Sequence, residues 1–264
     1  MTNPVLLIRA NGNDADSNAL SALGILTVSE AYLEIGPVQA MGPATRLLEA
    51  LQTADWLIAS SVNAIQFWGD IVGHAILASA VTEAAKRGMR FAAIGAASAN
   101  ALKKIGGSNI VVPEVSYSYS LAQSVINAHG HRAKGETYAK PIAVIPSGNL
   151  SVETLIHELA DSGWSVRSEV VFTTAPVKET PKSVQRIANG EFSAVLLRAP
   201  SAAKVFSFFV GPTDLPVICG GETTANAARE LGLNVVAVCH SPSPAIAAQT
   251  VYEYVKGPIR AEQI

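Results

Sequence analysis

The chain has 264 residues, of which 49% are hydrophobic and 15% charged, enough apolar material for one large or two medium domains and too little charge for a disordered chain. Its formal net charge is −2, and its 19 Lys and Arg are dispersed, with Lys103-Lys104 the only adjacent identical pair, so the dense basic stripe of a nucleic-acid binder is missing. No apolar run approaches the roughly 20 residues of a bilayer span, and the opening MTNPVLLIRANGND has neither the charged flank nor the cleavage site of a signal peptide, so a cytoplasmic protein is expected.

In chain order the pattern predicts a strand at 5–9, an extended segment TVSEAYLEIGPVQ (27–39) and a helix at 43–53. A strand at 56–60, helices at 63–73 and 75–87, a strand at 91–95, a helix at 97–105 and a strand at 109–112 follow. Next come a helix at 118–128, a strand at 142–146, a helix at 150–162 and a second extended segment, WSVRSEVVFTTAPV (164–177). The last stretch holds helices at 181–189, 201–210, 223–231 and 243–255 around strands at 193–197, 216–220 and 234–239. Gly88, Gly106, Gly163 and Gly232 stand where helices need a left-handed stop. Short continuous apolar strands alternating with helices predict parallel sheets covered on both faces.

The two extended segments, partly alternating and ending near Pro37 and Pro176, read as a two-stranded linker rather than as core strands. On that reading the chain leaves one domain, builds a second and returns. The first domain comprises about 1–34 plus 174–264, the second about 40–166, with linker strands at 35–39 and 167–173.

A repeat supports two similar domains. FAAIGAASANALKKIGG (91–107) and VICGGETTANAARELGLN (217–234) align with Gly95 on Gly221, Ser98 on Thr224, Asn100 on Asn226 and Gly106 on Gly232. Upstream, DWLIASSVNAIQFW (55–68) aligns with SAVLLRAPSAAKVF (193–206). Two matched turns in the same order point to internal duplication.

The motifs SSVNAI (60–65), IGAASANAL (94–102), RAPSAA (198–203) and GGETTANAA (220–228), with the opening strand LLIRANGN and the linker EVVFTTAP, resemble those of the uroporphyrinogen III synthases over essentially the whole chain. The resemblance implies two doubly wound parallel-sheet α/β domains facing each other across a cleft and joined by a two-stranded β-ladder. It implies cyclisation of the linear tetrapyrrole hydroxymethylbilane, with loss of water and inversion of the last ring, in the biosynthesis of haem, sirohaem and cobalamin. It further implies a monomer that needs no organic cofactor. Five scattered histidines without ligand spacing argue against a metal. Cys219 and Cys239 fall in strands, where buried thiols are expected.

A substrate with eight carboxylates and no basic patch to meet it directs attention to helix N-termini at the carboxyl ends of the strands, whose N–H groups and partial positive charge hold anions. The candidate substrate-binding residues are Arg9, Ser60, Ser61, Asn63, the turn Gly95-Ala96-Ala97-Ser98, Ser118, Ser147, Gly148, Phe172, Pro200, Ser201, Gly221, Thr223 and Thr224. Ser98, Thr223, Thr224 and Asn149 equally suit plain helix caps. Arg198, where the family has a small hydroxyl residue, either clamps a carboxylate or points to solvent. Tyr117 and Tyr119 suit packing, His157 a structural or surface place, and His240 follows a strand. Many family members carry a tyrosine in the returning linker as a candidate for assisting departure of the hydroxyl. Phe172 occupies that place here and cannot donate a proton. Ser98, Thr224 and Tyr119 are then the catalytic candidates, and a non-catalytic binding protein for a tetrapyrrole or other polycarboxylate is the alternative.

Overall fold

The computed structural model describes residues 3–10, 13–130, 140–151, 153–241 and 243–257. In chain order the described residues form β1 (Val5–Leu7), α1 (Asn13–Ala22), β2 (Thr27–Ser29) and β3 (Leu33–Pro37). It continues through α2 (Met41–Ala50), β4 (Trp56–Ala59), α3 (Val62–Val72), α4 (His74–Lys86), β5 (Arg90–Ala93) and α5 (Ala96–Lys104). Then come α6 (Ser118–His129), β6 (Ile142–Gly148), α7 (Thr154–Asp161) and the long β7 (Ser165–Pro176). The remainder is α8 (Ser183–Ala188), β8 (Ala194–Leu197), α9 (Pro200–Val210), β9 (Val217–Cys219), α10 (Glu222–Glu230), β10 (Val235–Val238) and α11 (Pro244–Lys256). By contacts the chain divides into two compact units, Met1–Ile35 with Ala175–Ile264, and Gly36–Thr174.

The sheet of the first unit has the order β10-β9-β8-β1-β2, with all neighbours parallel. That of the second has the order β3-β7-β6-β4-β5, parallel from β7 to β5, and Ala92 bridges Val111 beyond β5. Each is doubly wound with the same spatial pattern. β8, β9 and β10 run outward from β1 as β4, β5 and the Val111 bridge run outward from β6, and β2 flanks β1 as β7 flanks β6. Each sheet therefore has a switch point, between β1 and β8 in the first unit and between β6 and β4 in the second, where open α/β sheets leave a crevice at their carboxyl ends.

The central strands are short and apolar throughout. VLL, WLIA, AVLL and VIC are buried at every position, so each must be covered on both faces. In the first unit Leu6, Val195, Leu197 and Val217 pack with Phe206 and Ala225 on one face, while Val5, Leu7, Leu196 and Ile218 pack with Leu20 and Val251 on the other. In the second, Trp56, Ile58, Ala143 and Ile145 meet Leu121, Val125, Leu155 and Leu159. Among the described residues no single helix is long and apolar enough to cross a membrane. α3 and α4, which together are, bend by 112° at Gly73 and bury Ile65, Trp68, Leu77 and Val81.

The repeat is structural. α3 and α9 begin and end at equivalent residues, as do α5 and α10, and Gly106 and Gly232 both take positive φ (103° and 73°) after the last turn. The two extended segments do pair, β3 lying beside β7 with the Val38 N–H donating to the Val171 carbonyl at 3.1 Å, but each also takes part in a parallel sheet. Segment 27–39 is two strands, of which β2 is a parallel sheet strand beside β1. The other segment, β7, runs parallel to β6 from Ser165 to Phe172 and so belongs to the sheet of the second unit. Helix α1 was not anticipated, and the helical pattern at 150–162 begins only at Thr154.

Candidate active site

In the second unit, the turns after β4 and β6 and the starts of α3, α6 and α7 surround a cavity of about 210 Å³ at the switch point. It is lined by Ser60, Ser61, Ser118, Ser147, Ser151, Ile145, Leu155 and Ile156. Four of the serines are sequence candidates, brought together from the turn after β4, the first residue of α6 and the end of β6. Their hydroxyls are not equivalent. Ser61 caps α3, its Oγ accepting from the Asn63 N–H at 3.1 Å, which leaves its own proton to donate. Ser147, buried, donates to the Glu169 carbonyl at 3.0 Å. Ser151, which the sequence reading missed, accepts from the Gly148 N–H at 2.9 Å and closes the turn after β6. A serine three residues after a strand-ending glycine is the signal that could have found it.

Asn149 does not cap a helix. Its amide oxygen accepts from the Thr174 N–H at 2.8 Å and its nitrogen donates to the Thr174 carbonyl at 3.2 Å, which extends the β6–β7 pairing. Phe172 is buried, stacked on Phe67 with ring centroids 5.8 Å apart, and its ring tip lies where a Cβ on Gly148 would stand. Glycine at 148 is therefore a steric requirement of Phe172. Tyr32, on the outgoing segment, cannot stand in for the family's tyrosine. It is fully buried among Phe206 and Phe209, hydrogen-bonded to Ser183 at 2.9 Å, and burial pushes its hydroxyl up to about 12.

The Gly95 turn is not among the residues that line the serine cavity. Ala97 instead lines a groove of about 360 Å³ with Val62, Ile65, Gln66, His74, Asn100 and Lys104. Gly95 is the N-cap of α5, with Ala96 and Ala97 exposed in the first turn and Ser98 buried at the third position. α10 repeats this, with Gly221 as N-cap, Thr223 exposed and Thr224 buried at the third position. Ser98 and Thr224 are thus not N-caps, and their burial at 4% and 3% exposure turns them toward packing. Tyr117 and Tyr119, at 63% and 55% exposure, are surface residues on either side of Ser118 and not packing residues. His157 is exposed beside Glu153, and His240 is exposed. Cys219 and Cys239 are buried, and burial raises both thiols, Cys219 to about 11.

In the first unit the equivalent turns differ. Pro200 occupies the first position of α9, where it removes a donor, and Ser201 follows it half-buried. Glu222 opens α10 and pairs with Arg229 at 3.4 Å, placing negative charge at that helix start. Arg198, at Ser60's place in the repeat, does not point to solvent. It is 10% exposed with its Nε 3.3 Å from the buried Asp16 carboxylate, which Arg9 also approaches at 3.7 Å.

These features define a duplicated, doubly wound α/β protein whose polar turns gather at the carboxyl ends of its sheets, where such folds hold ligands. The family model described as uroporphyrinogen-III synthase HemD matches residues 14–248, and the chain belongs to that family. A curated relative, the porphyrin biosynthesis protein HemD of Ruminiclostridium josui, is 23% identical over 223 residues, which are 82% of this chain and 42% of the relative, so the chain spans less than half of that protein's length. Among solved structures, a mutant uroporphyrinogen III synthase from the extreme thermophile Thermus thermophilus matches with a TM-score of 0.63 at 17% identity, covering 96% of this chain and 99% of the other. The uroporphyrinogen-III synthetase of Helicobacter pylori 26695 gives 0.62 at 14% identity, with 96% and 99% covered. At those identities the likeness is one of fold.

Proposed function

We propose that the chain cyclises hydroxymethylbilane to uroporphyrinogen III, with loss of water and inversion of the last ring, as a cytoplasmic monomer. The observation that carries this reading is the family match over residues 14–248. The serine-lined cavity at the switch point of the second unit supports it, because hydroxyls and helix N–H groups can hold carboxylate arms without a basic patch.

The reaction asks mainly for positioning. Loss of the substrate's hydroxyl leaves a cationic azafulvene, and attack by the terminal pyrrole through its substituted carbon gives a spirocyclic intermediate that fragments and recloses with that ring inverted. The linear substrate can also close directly without inversion, so the protein must hold the conformer in which the substituted carbon is nearer, a differential stabilisation of one transition state. Ser60, Ser61 and Ser118 hold carboxylates in this scheme, while Ser147, whose proton goes to the Glu169 carbonyl, fixes the cavity wall between β6 and β7. With phenylalanine at 172, water or the substrate's own carboxylates assist departure of the hydroxyl.

The test supplies freshly generated hydroxymethylbilane and resolves the product isomers. Uroporphyrinogen III above the uncatalysed background is expected. Only the uninverted isomer, together with saturable binding of an octacarboxylate porphyrin, would replace this reading with that of a binding protein.

A further inference from the structure

We propose that the groove between α3 and α5 is a second subsite of the second unit, taking one acidic arm of the ligand whose carboxylate is met by Lys104, Gln66 and Asn100. The proposal rests on reading the ligand as a polycarboxylate. α3 and α5 follow β4 and β5, which are parallel neighbours, so both helices start at the carboxyl end of the sheet and run back side by side. Val62, Ile65 and Gln66 form one stripe on α3, and Ala97, Asn100 and Lys104 form one on α5, each at three- and four-residue spacing. Between them lies a groove of about 360 Å³, floored by the buried Ile65 and Ile105. Among the described residues no carboxylate lines it, and its other ionisable group, His74, is bonded to Asp70 at 2.8 Å.

Three observations make this groove a ligand position rather than a plain helix contact. It adjoins the serine cavity: Ser61, the N-cap of α3, lines the cavity and Val62, the next residue, lines the groove, so one branched ligand can straddle the start of α3. Its polar groups are uncommitted, since among the described residues the side chains of Gln66, Asn100 and Lys104 make no hydrogen bond or ion pair. And the arrangement is not inherent in the fold. In the other copy of the repeat Pro200, Lys204 and Glu230 stand at the places of Val62, Gln66 and Lys104, and Asn226, at the place of Asn100, accepts from Arg229 at 3.2 Å. The chemistry is graded along the groove. Its apolar floor suits the methylene groups of an acidic arm, and the two amides offer N–H donors to a carboxylate. Helical side chains lean toward the helix N-terminus, so Lys104 reaches back over the turn of Asn100 and sets its ammonium beside those amides. The second unit thereby offers one positive charge next to its hydroxyls.

The experiment titrates the full chain with uroporphyrin I, an octacarboxylate porphyrin, at low and high salt. Lys104→Gln is expected to weaken binding about fivefold at low salt and less at high salt, with Lys104→Arg retaining most of the affinity. Lys103→Gln removes the same charge one residue away, on a side chain that does not line the groove, and is expected to change binding by less than about twofold. Ala101 lines the groove too, and Ala101→Leu, which narrows it without altering a charge, is expected to weaken binding at both salt concentrations. A melting temperature for each variant shows that it is folded. Binding by Lys104→Gln equal to wild type, or equal losses in Lys103→Gln and Lys104→Gln, overturns the proposal, as does wild-type affinity in Ala101→Leu. Failure of the wild type to bind uroporphyrin I would instead remove the polycarboxylate reading, and the subsite with it. Because the readout is binding, absence of the inverted isomer in the turnover assay would remove the proposed activity while this titration still decides the subsite.

Discussion

Ser61 carries two demands at once, since the same hydroxyl that lines the cavity also caps α3. Ser61→Ala should cost about 1 kcal/mol through the lost cap, seen as a melting temperature lower by about 2–4 °C. A fall in affinity for uroporphyrin I beyond what instability explains would give the hydroxyl its second role. Gly148 and Phe172 are coupled by volume. A methyl at 148 collides with the Phe172 ring, so Gly148→Ala should destabilise by about 1–3 kcal/mol, and Phe172→Leu in the same chain should recover part of it in a double-mutant cycle of denaturant midpoints. Phe172→Tyr should raise turnover of hydroxymethylbilane if residue 172 stands where the family's tyrosine assists the leaving hydroxyl. Unchanged turnover in a folded variant would remove that position from the chemistry.

Among the elements, α8 shows how a short helix is anchored by a distant side chain. The Glu30 carboxylate accepts from the backbone N–H groups of Lys182 and Ser183 at 2.8 and 2.7 Å, satisfying two donors that a six-residue helix would otherwise leave to water. Burial by itself raises the Glu30 carboxyl, and the hydrogen bonds from Ser183 and Lys182 outweigh it, so its pKa lies below the ordinary 4.5. A lowered carboxylate pKa contributes stability that is complete above the unfolded value and is lost as pH falls through the folded one. Glu30→Gln should therefore lower stability at pH 7, by no more than about 1 kcal/mol because solvent screens so exposed a group, and the difference from wild type should shrink on acidification below pH 4.5, as followed by thermal unfolding.

Element legibility was uneven for identifiable reasons. The buried strands and the helices of the repeat show in the sequence because the strands are continuous apolar runs, broken only by Arg90 at the start of β5, between helical patterns. α1 does not, because NDADSNALSA buries only Leu20 and an aspartate and so lacks an apolar stripe. Segment 27–39 reads as a single extended run because nothing local marks β2 as the partner of β1, a pairing made across more than 20 residues.

For the whole molecule, an octacarboxylate bound only by the folded chain should raise its melting temperature, by about 2.7 kcal/mol of added stability at a hundred times Kd. That gain should diminish as salt rises, since exposed charges contribute to the grip. Thermal scans across uroporphyrin I concentration and ionic strength would check both.

Strand and helix alternation, the duplication and the family's motifs were determined by the chain alone, because each depends on local periodicity or on residues a few positions apart. So were Ser60, Ser61, Ser118 and Ser147 as candidates, though not their assembly into one cavity, which needed the strand order β7-β6-β4-β5. Only the tertiary structure set Ala97 in another groove, buried Ser98 and Thr224 and exposed Tyr117 and Tyr119. It alone brought Asp16 between Arg9 and Arg198, residues separated by 189 positions whose charges matter to one another only because two parallel strands run side by side.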